Sequence, residues 1–207
     1  MTDKEIAMTR LALAAVLSLL PLTATAADPL ADGTRIRPED AARLEALDRA
    51  TGAALRQALG QGSAAQAADA ADTLRGAALA ATPEALIGDW SCRMTKIGGL
   101  QASVSYPPFR CAITRDGTAL RFEKLTGSQR TSGTLHHDDG VWVYLGSTFV
   151  AGEAPRPYAD FPDDMDTQGT ETLPDVGLLE PIDADRARIL FPLPYRESVL
   201  NVLTLTR

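Results

Sequence analysis

The chain has 207 residues, 45% of them hydrophobic, with 27 acidic against 20 basic side chains and a formal net charge of −7. An acidic chain without a basic run is a poor candidate for nucleic acid, where neutralised phosphates supply most of the affinity, and for an anionic membrane surface. The two cysteines and two histidines leave little material for a metal centre.

Residues 1–26 have the three parts of a secretory signal peptide. Lys4 and Arg10 supply positive charge, residues 11–22 form an apolar run broken by Ser18 and Pro21, and Ala24-Thr25-Ala26 offers small residues to a signal peptidase. The run holds about 12 residues, short of the roughly 20 that span a bilayer as a helix, so a retained anchor is the weaker reading. The expectation is a periplasmic or secreted protein that starts near Ala27, with no membrane span after cleavage. Its length, about 181 residues, suits one domain of ordinary size.

Residues 27–82 read as a helical segment. Pro38 with Glu39 and Asp40 behind it is a good helix start, and Leu44, Leu47, Thr51, Leu55 and Leu59 share one helical face up to Gly60. Ser63 and Gln66 form a capping-box pattern for a second, Ala-rich helix over 64–80. The pair is expected to form a hairpin against the rest of the molecule, a disordered arm being the competing reading for the second helix.

Residues 83–207 switch to period two. Trp90, Cys92 and Met94 alternate with polar residues, as do Phe109, Cys111 and Ile113, and Asp116-Gly117 and Asp139-Gly140 mark hairpin turns. Further strands fall near 120–122, 129–136, 141–145, 178–182, 188–191 and 199–206. Residues 151–176 are rich in Pro, Asp, Gly and Thr and read as one long connection. The fold class expected is α+β: an N-terminal helical hairpin, then a small antiparallel β-barrel or strongly curved sheet of about eight strands. Gly88-Asp89-Trp90 is similar to the residues that open lipocalin-type barrels, where the Trp plugs the floor. That resemblance implies a closed barrel with Arg207 stacked on Trp90.

An even cysteine count in an oxidising compartment predicts one disulfide, Cys92–Cys111, closing a loop of about 20 residues. Thr126-Gly127-Ser128-Gln129-Arg130 is the best binding candidate. A Gly between hydroxyl residues lets backbone N–H groups converge on an anion, and Arg130 adds a planar fork for carboxylate or phosphate; an ordinary hairpin turn is the competing reading. His136 and His137 are neighbours on a strand, point to opposite faces and lead into a turn, so a solvated hairpin tip outweighs a metal or catalytic site. Asp164, Asp166, Gln168 and Asp175 are spaced like part of a calcium loop, but Gln168 and Asp175 depart from the usual ligands and no helix flanks them, which favours a plain acidic loop. No nucleophilic elbow or phosphate-cradling loop is present, and no cofactor is expected.

The runs Cys92-Arg93-Met94-Thr95-Lys96, Phe109-Arg110-Cys111, Lys124-Leu125-Thr126-Gly127-Ser128-Gln129-Arg130, Tyr144-Leu145-Gly146 and Arg196-Glu197-Ser198-Val199-Leu200-Asn201-Val202 resemble those of a bacterial secreted family, domain of unknown function 4893. The resemblance covers roughly residues 88–207 and implies an exported bacterial protein of this shape, with no activity attached. The leading functional expectation is a non-enzymatic periplasmic barrel that binds a small ligand or a partner protein through one barrel end or the 126–130 turn. One alternative is an envelope hydrolase whose site, with groups such as His136 and Glu197, is assembled by folding. Another is a protease-inhibitor-like module that uses residues 27–37 as an extended arm.

Overall fold

The computed structural model describes residues 28–207. The signal-peptide reading falls on residues 1–26 and lies outside the described residues. The described residues form nine strands, of which β4 alternates cleanly in burial while β6, β7 and β8 are buried on both faces: β1 (Gly88–Ile97), β2 (Ser103–Ser105), β3 (Phe109–Asp116), β4 (Ala119–Lys124), β5 (Gln129–Asp138), β6 (Val141–Val150), β7 (Leu173–Pro181), β8 (Arg186–Pro192) and β9 (Leu200–Thr206). From β3 to β9 each strand pairs antiparallel with the next, and β1 pairs with both β3 and β9. The β1–β9 ladder runs from Ser91↔Thr206 to Ile97↔Leu200 and closes an eight-stranded barrel, which leaves no long edge to aggregate. The ninth strand, β2, pairs only with the end of β1 and was not foreseen, because three residues are too few to show alternation.

Closure follows from the side chains that each strand turns inward. Trp90, Ile113, Phe122, Leu135, Tyr144 and Phe191 meet in one buried cluster inside the barrel. Phe122 and Phe191 each approach the Tyr144 ring edge-on, with centroids 5.7 Å apart, a favoured geometry for aromatic quadrupoles. Trp90 pairs with Cys111 and Cys92 with Phe109, so the two cysteines are diagonal neighbours across β1 and β3. They form a disulfide with 5.9 Å between their Cα atoms.

One barrel end is plugged. Helix α4 (Pro83–Leu86) lies across it; Trp90 Nε1 donates to the Leu86 carbonyl at 3.0 Å, and Trp142 Nε1 to that of Ala81 at 3.3 Å. The Arg207 guanidinium stacks 4.0 Å from the Trp90 ring centroid and donates to the carbonyls of Ala85 and Ile87. The floor is therefore built as the lipocalin-like opening of β1 suggests.

The remaining helices pack outside the barrel: α1 (Pro38–Glu45), α2 (Leu47–Gln61) and α3 (Ala64–Thr73). Ala54, Ala58 and Ala70 let α2 and α3 approach closely over Ile97, Leu200 and Val202. Two details differ from the sequence reading. The first helix breaks at Ala46 (φ −82°, ψ 1°), so that α1 lies against β7 and α2 against β8 and β9. The second helix keeps its Ser63–Gln66 capping box but stops at Thr73 instead of continuing to 80. Arg75-Gly76 leaves the helix with Gly76 at φ 100°, and Leu79 N–H then bonds the Pro181 carbonyl. An Ala-rich extension would have had little apolar surface to bury there.

Residues 151–172 are held by a buried charge network, not left loose. Asp40, fully buried in α1, accepts from Arg37 Nη1 at 2.8 Å, Arg43 Nη1 at 2.9 Å and the Tyr158 hydroxyl at 2.8 Å. Arg37 also donates to the carbonyls of Pro162 and Asp163, and Arg43 to those of Pro192 and Pro174. The connection also contains a 3-10 turn at Tyr158–Asp160, and residues 173–176, expected in the loop, belong to β7.

Candidate functional site

The other barrel end opens into a cavity of about 190 Å³. It is framed by the last residues of β1, β4, β6 and β8 and the first of β5, β7 and β9. Met94 and Phe191 face it from below, and Phe109, Phe149 and Leu173 form apolar walls. Around it stand Arg43, Lys96, Lys124, Arg130 and Arg196 with the acidic Glu171, an unusual concentration of positive charge for a chain of net charge −7.

Period two explains two of these cations. After Trp90, Cys92 and Met94, the next inward position on β1 is Lys96; after Leu120 and Phe122, the next on β4 is Lys124. Lys124 is 6% exposed, and its ammonium donates to the carbonyls of Thr126 (2.9 Å) and Gln129 (2.6 Å) while lying 3.7 Å from the Phe109 ring centroid. Burial, then the charges of Arg130 and Lys96, pull it down to about 8. Lys96 is paired with Glu197 and donates to Gln129 Oε1 at 3.3 Å.

The two arginines keep donors in hand. Arg130 uses Nε on the Gly127 carbonyl at 3.0 Å, and Arg196 uses Nη2 on the carbonyls of Thr167 and Thr170. Their other guanidinium N–H groups have no hydrogen-bond partner among the described residues. The loop that carries Tyr195 and Arg196 over the mouth is bracketed by Leu193 (φ 46°) and Glu197 (φ 69°). Left-handed backbone at non-glycine residues costs of order 1–3 kcal/mol and concentrates at functional sites. Here it is held by Leu193 N–H to the Val199 carbonyl and Leu100 N–H to that of Glu197.

Beneath the cations lies a carboxylate. Asp175 lines the cavity and is 7% exposed. Its Oδ2 accepts from Thr131 Oγ1 at 2.7 Å, and that hydroxyl lies 2.6 Å from the Tyr144 hydroxyl. Burial pushes the Asp175 carboxyl up to about 6, against the opposing Thr131 hydrogen bond and the Arg43 charge. Burial likewise raises Tyr144 well above its ordinary value, so it stays a neutral donor.

Of the 126–130 run, Ser128, Gln129 and Arg130 line the cavity, whereas Thr126 and Gly127 shape its edge. The turn works differently from the anticipated nest of N–H groups: its carbonyls hold the Lys124 ammonium and Arg130 Nε, and Thr126 Oγ1 accepts from Arg110 N–H at 2.8 Å. The calcium-loop spacing does not survive folding. Asp175 points into the barrel from β7, while exposed Asp166 caps Gln168 N–H in a local turn, and the described residues contain no cluster of three or more metal-ligating side chains. His136 Nδ1 lies 2.6 Å from Asp32 Oδ2 on the outside of the barrel, and the His137 ring lies tilted against Trp142 with centroids 4.8 Å apart. The His136 hydrogen bond holds the Asp32 carboxyl down to about 2. His136 lies near the plugged end of β5 and Glu197 over the open mouth, so folding does not bring them together. Residues 28–37 are docked, with Leu30, Ile36 and Arg37 buried against their own barrel.

A second hollow of about 620 Å³ lies outside β5 between residues 34–37 and 155–161. Its arginines are engaged: Arg35 with Asp163, Arg121 with Glu123 and Ser132, and Arg156 with the Asp160 carbonyl. The mouth cavity, with its open guanidinium donors and apolar walls, is the better-built site.

The model of the family described as Domain of unknown function (DUF4893) matches residues 34–205. No curated protein matches the chain.

Proposed function

The chain belongs to the DUF4893 family, and for this member we propose a non-enzymatic, exported periplasmic role: it binds a small amphipathic anion in the open mouth of its barrel. The observation that carries this reading is the cavity of about 190 Å³, walled by apolar side chains above the Asp175 carboxylate and lined by Arg43, Lys96, Lys124, Arg130 and Arg196. The apolar part of a ligand would leave water against Met94, Phe109 and Phe191. Its carboxylate or phosphate would meet planar guanidinium forks, which recognise such groups bidentately. Lys124 adds a fixed charge whose position is set by two turn carbonyls. Export is supported by the three-part leader in residues 1–26, and an oxidising compartment by the Cys92–Cys111 bond. A catalytic role is less well supported, since both cysteines are bonded and His136 and Glu197 occupy opposite barrel ends.

The test is thermal unfolding of the protein with millimolar benzoate, phenyl phosphate and hexanoate, set against uncharged toluene analogues. A ligand that binds only the native state raises the midpoint by mass action. Stabilisation by the acids that is lost in Arg130→Ala but kept in Arg115→Ala, at the plugged end, supports the reading. No stabilisation by any acid, or equal stabilisation of both variants, overturns it.

A further inference from the structure

The cavity floor carries an acceptor that the surrounding cations do not neutralise. Asp175 forms no ion pair among the described residues, although Lys96, Lys124, Arg130 and Arg196 line the same cavity. The protons beneath it run one way. The Thr131 hydroxyl donates to Asp175 Oδ2, so the Tyr144 hydroxyl, 2.6 Å from Thr131 Oγ1, is the donor to Thr131. A hydroxyl has one proton, and both are spent toward the carboxylate. Asp175 is thus the accepting end of a donor chain. Its Oδ1 has no donor among the described residues and belongs to a side chain that lines the cavity.

A cavity of roughly 150 Å³ holds a benzene ring. One of about 190 Å³ has room for one ring, or an equivalent chain, with a small substituent. A ligand anchored by an acid group at the rim would place its far end on the floor.

Resting on the proposed anion-binding role, we infer that the ligand is a hydroxy acid: its acid group meets Arg130 and Arg196, and its distal hydroxyl donates to Asp175, which selects for that donor. An ammonium in place of the hydroxyl is disfavoured because five cations, Arg43, Lys96, Lys124, Arg130 and Arg196, share the cavity with only Glu171 and Asp175 to offset them, and repel a further positive charge. A distal methyl or hydrogen is disfavoured because it desolvates a buried carboxylate without bonding it, the situation in which sites built for a hydroxyl discriminate most strongly.

Asp175 is faced by Thr131 from β5, Tyr144 from β6, and Arg43 and Asp40 from α1, and it shares its cavity with Lys96 from β1, Lys124 from β4, Arg130 from β5, and Glu171 and Arg196 from the loops before β7 and β9. With its carboxyl pushed up to about 6, Asp175 changes charge between pH 7 and pH 5, while Tyr144, raised by burial, remains neutral. A carboxylate accepts a stronger hydrogen bond than a neutral carboxyl. Selection for the hydroxyl is therefore greater at pH 7 than at pH 5.

The experiment is calorimetric titration of the whole protein with matched acids: 4-hydroxybenzoate against benzoate, 3-(4-hydroxyphenyl)propionate against 3-phenylpropionate, and 4-(aminomethyl)benzoate as the cationic arm. The hydroxyl member of a pair that fits is expected to bind roughly tenfold or more tighter at pH 7. That ratio should fall toward one in Asp175→Asn and should shrink in the unmodified protein at pH 5, a readout that needs no variant. Equal affinities within both pairs, a ratio that persists in Asp175→Asn, or tightest binding of the aminomethyl acid overturns the inference alone. Failure of every acid to bind overturns the anion-binding reading as well.

Discussion

Replacing Asp40 with Asn removes the one negative charge between two buried guanidinium groups. Arg37 and Arg43 are 1% and 5% exposed, and both donate to Asp40, as does the Tyr158 hydroxyl. Asn keeps the shape but leaves two buried cations across a neutral amide, Arg37 keeping only the exposed Glu39 carboxylate at 3.6 Å. Removing one partner of a buried ion pair costs about 3–5 kcal/mol. For a domain of this size, about 2–4 °C per kcal/mol converts that to a fall in melting temperature of about 6–20 °C. Circular dichroism during heating reads the fall directly, and urea unfolding should show a lower midpoint with an unchanged slope. Because Arg37 also holds the carbonyls of Pro162 and Asp163, the variant should be cut faster by protease between residues 155 and 170. A fall of less than about 2 °C with unchanged proteolysis would refute the assignment of this network as the clamp on the long connection.

Other perturbations probe other parts of the molecule. Cys92→Ser with Cys111→Ser should lower stability by about 3 kcal/mol in denaturant titrations, matching the effect of reductant on the unmodified protein. Asp175→Asn should be more stable than the unmodified protein above pH 6. The folded carboxyl titrates near 6 instead of 3.8, so the native state binds the extra proton between those values. The group's favourable contribution is then full below about pH 4 and gone above about pH 6, and removing the charge relieves on the order of 3 kcal/mol at pH 8. A melting-temperature difference that grows from pH 5 to pH 8 checks the sign. Gly127→Ala should destabilise by about 1–2 kcal/mol and weaken acid binding. Gly127 has φ 92°, and an added Cβ would sit 2.8 Å from both Lys124 Nζ and Phe109 Cε1. Arg207→Ala should cost about 1 kcal/mol and change Trp90 fluorescence, since the guanidinium stacks on that ring.

The barrel was legible because its signals are local. Asp116-Gly117 and Asp139-Gly140 turn where expected, with Gly117 at φ 61° and Gly140 at φ 87°, and inward residues recur every second position on each strand. The stacking of Arg207 on Trp90 was implied by the resemblance of Gly88-Asp89-Trp90 to lipocalin-type openings, and the β1–β9 pairing that closes the barrel brings the two residues together. The break at Ala46 was hidden, since Ala is a strong helix former and the bend comes from docking onto different strands. The site was half visible. Ser128, Gln129 and Arg130 lie on one turn, but Lys96, Lys124 and Arg196 become neighbours only when the barrel closes. Lys96 and Lys124 continue inward registers, a signal that strict attention to period two would have caught. Asp175 was read as part of an acidic loop, and its place on the inner face of β7 was hidden because spacing along the chain says nothing about which barrel face a strand residue occupies.

Uptake of a small acid by the open mouth of the barrel is tested most directly by a two-dimensional amide NMR titration with 4-hydroxybenzoate at pH 7. Binding in the mouth gives saturable shifts at Lys96, Ser128, Arg130, Val150, Asp175 and Asn201, with none at the plugged-end turns Asp116-Gly117, Asp139-Gly140 and Asp183-Ala184-Asp185. Absence of saturable shifts, or shifts confined to the outer hollow beside Arg121 and Arg156, would contradict it.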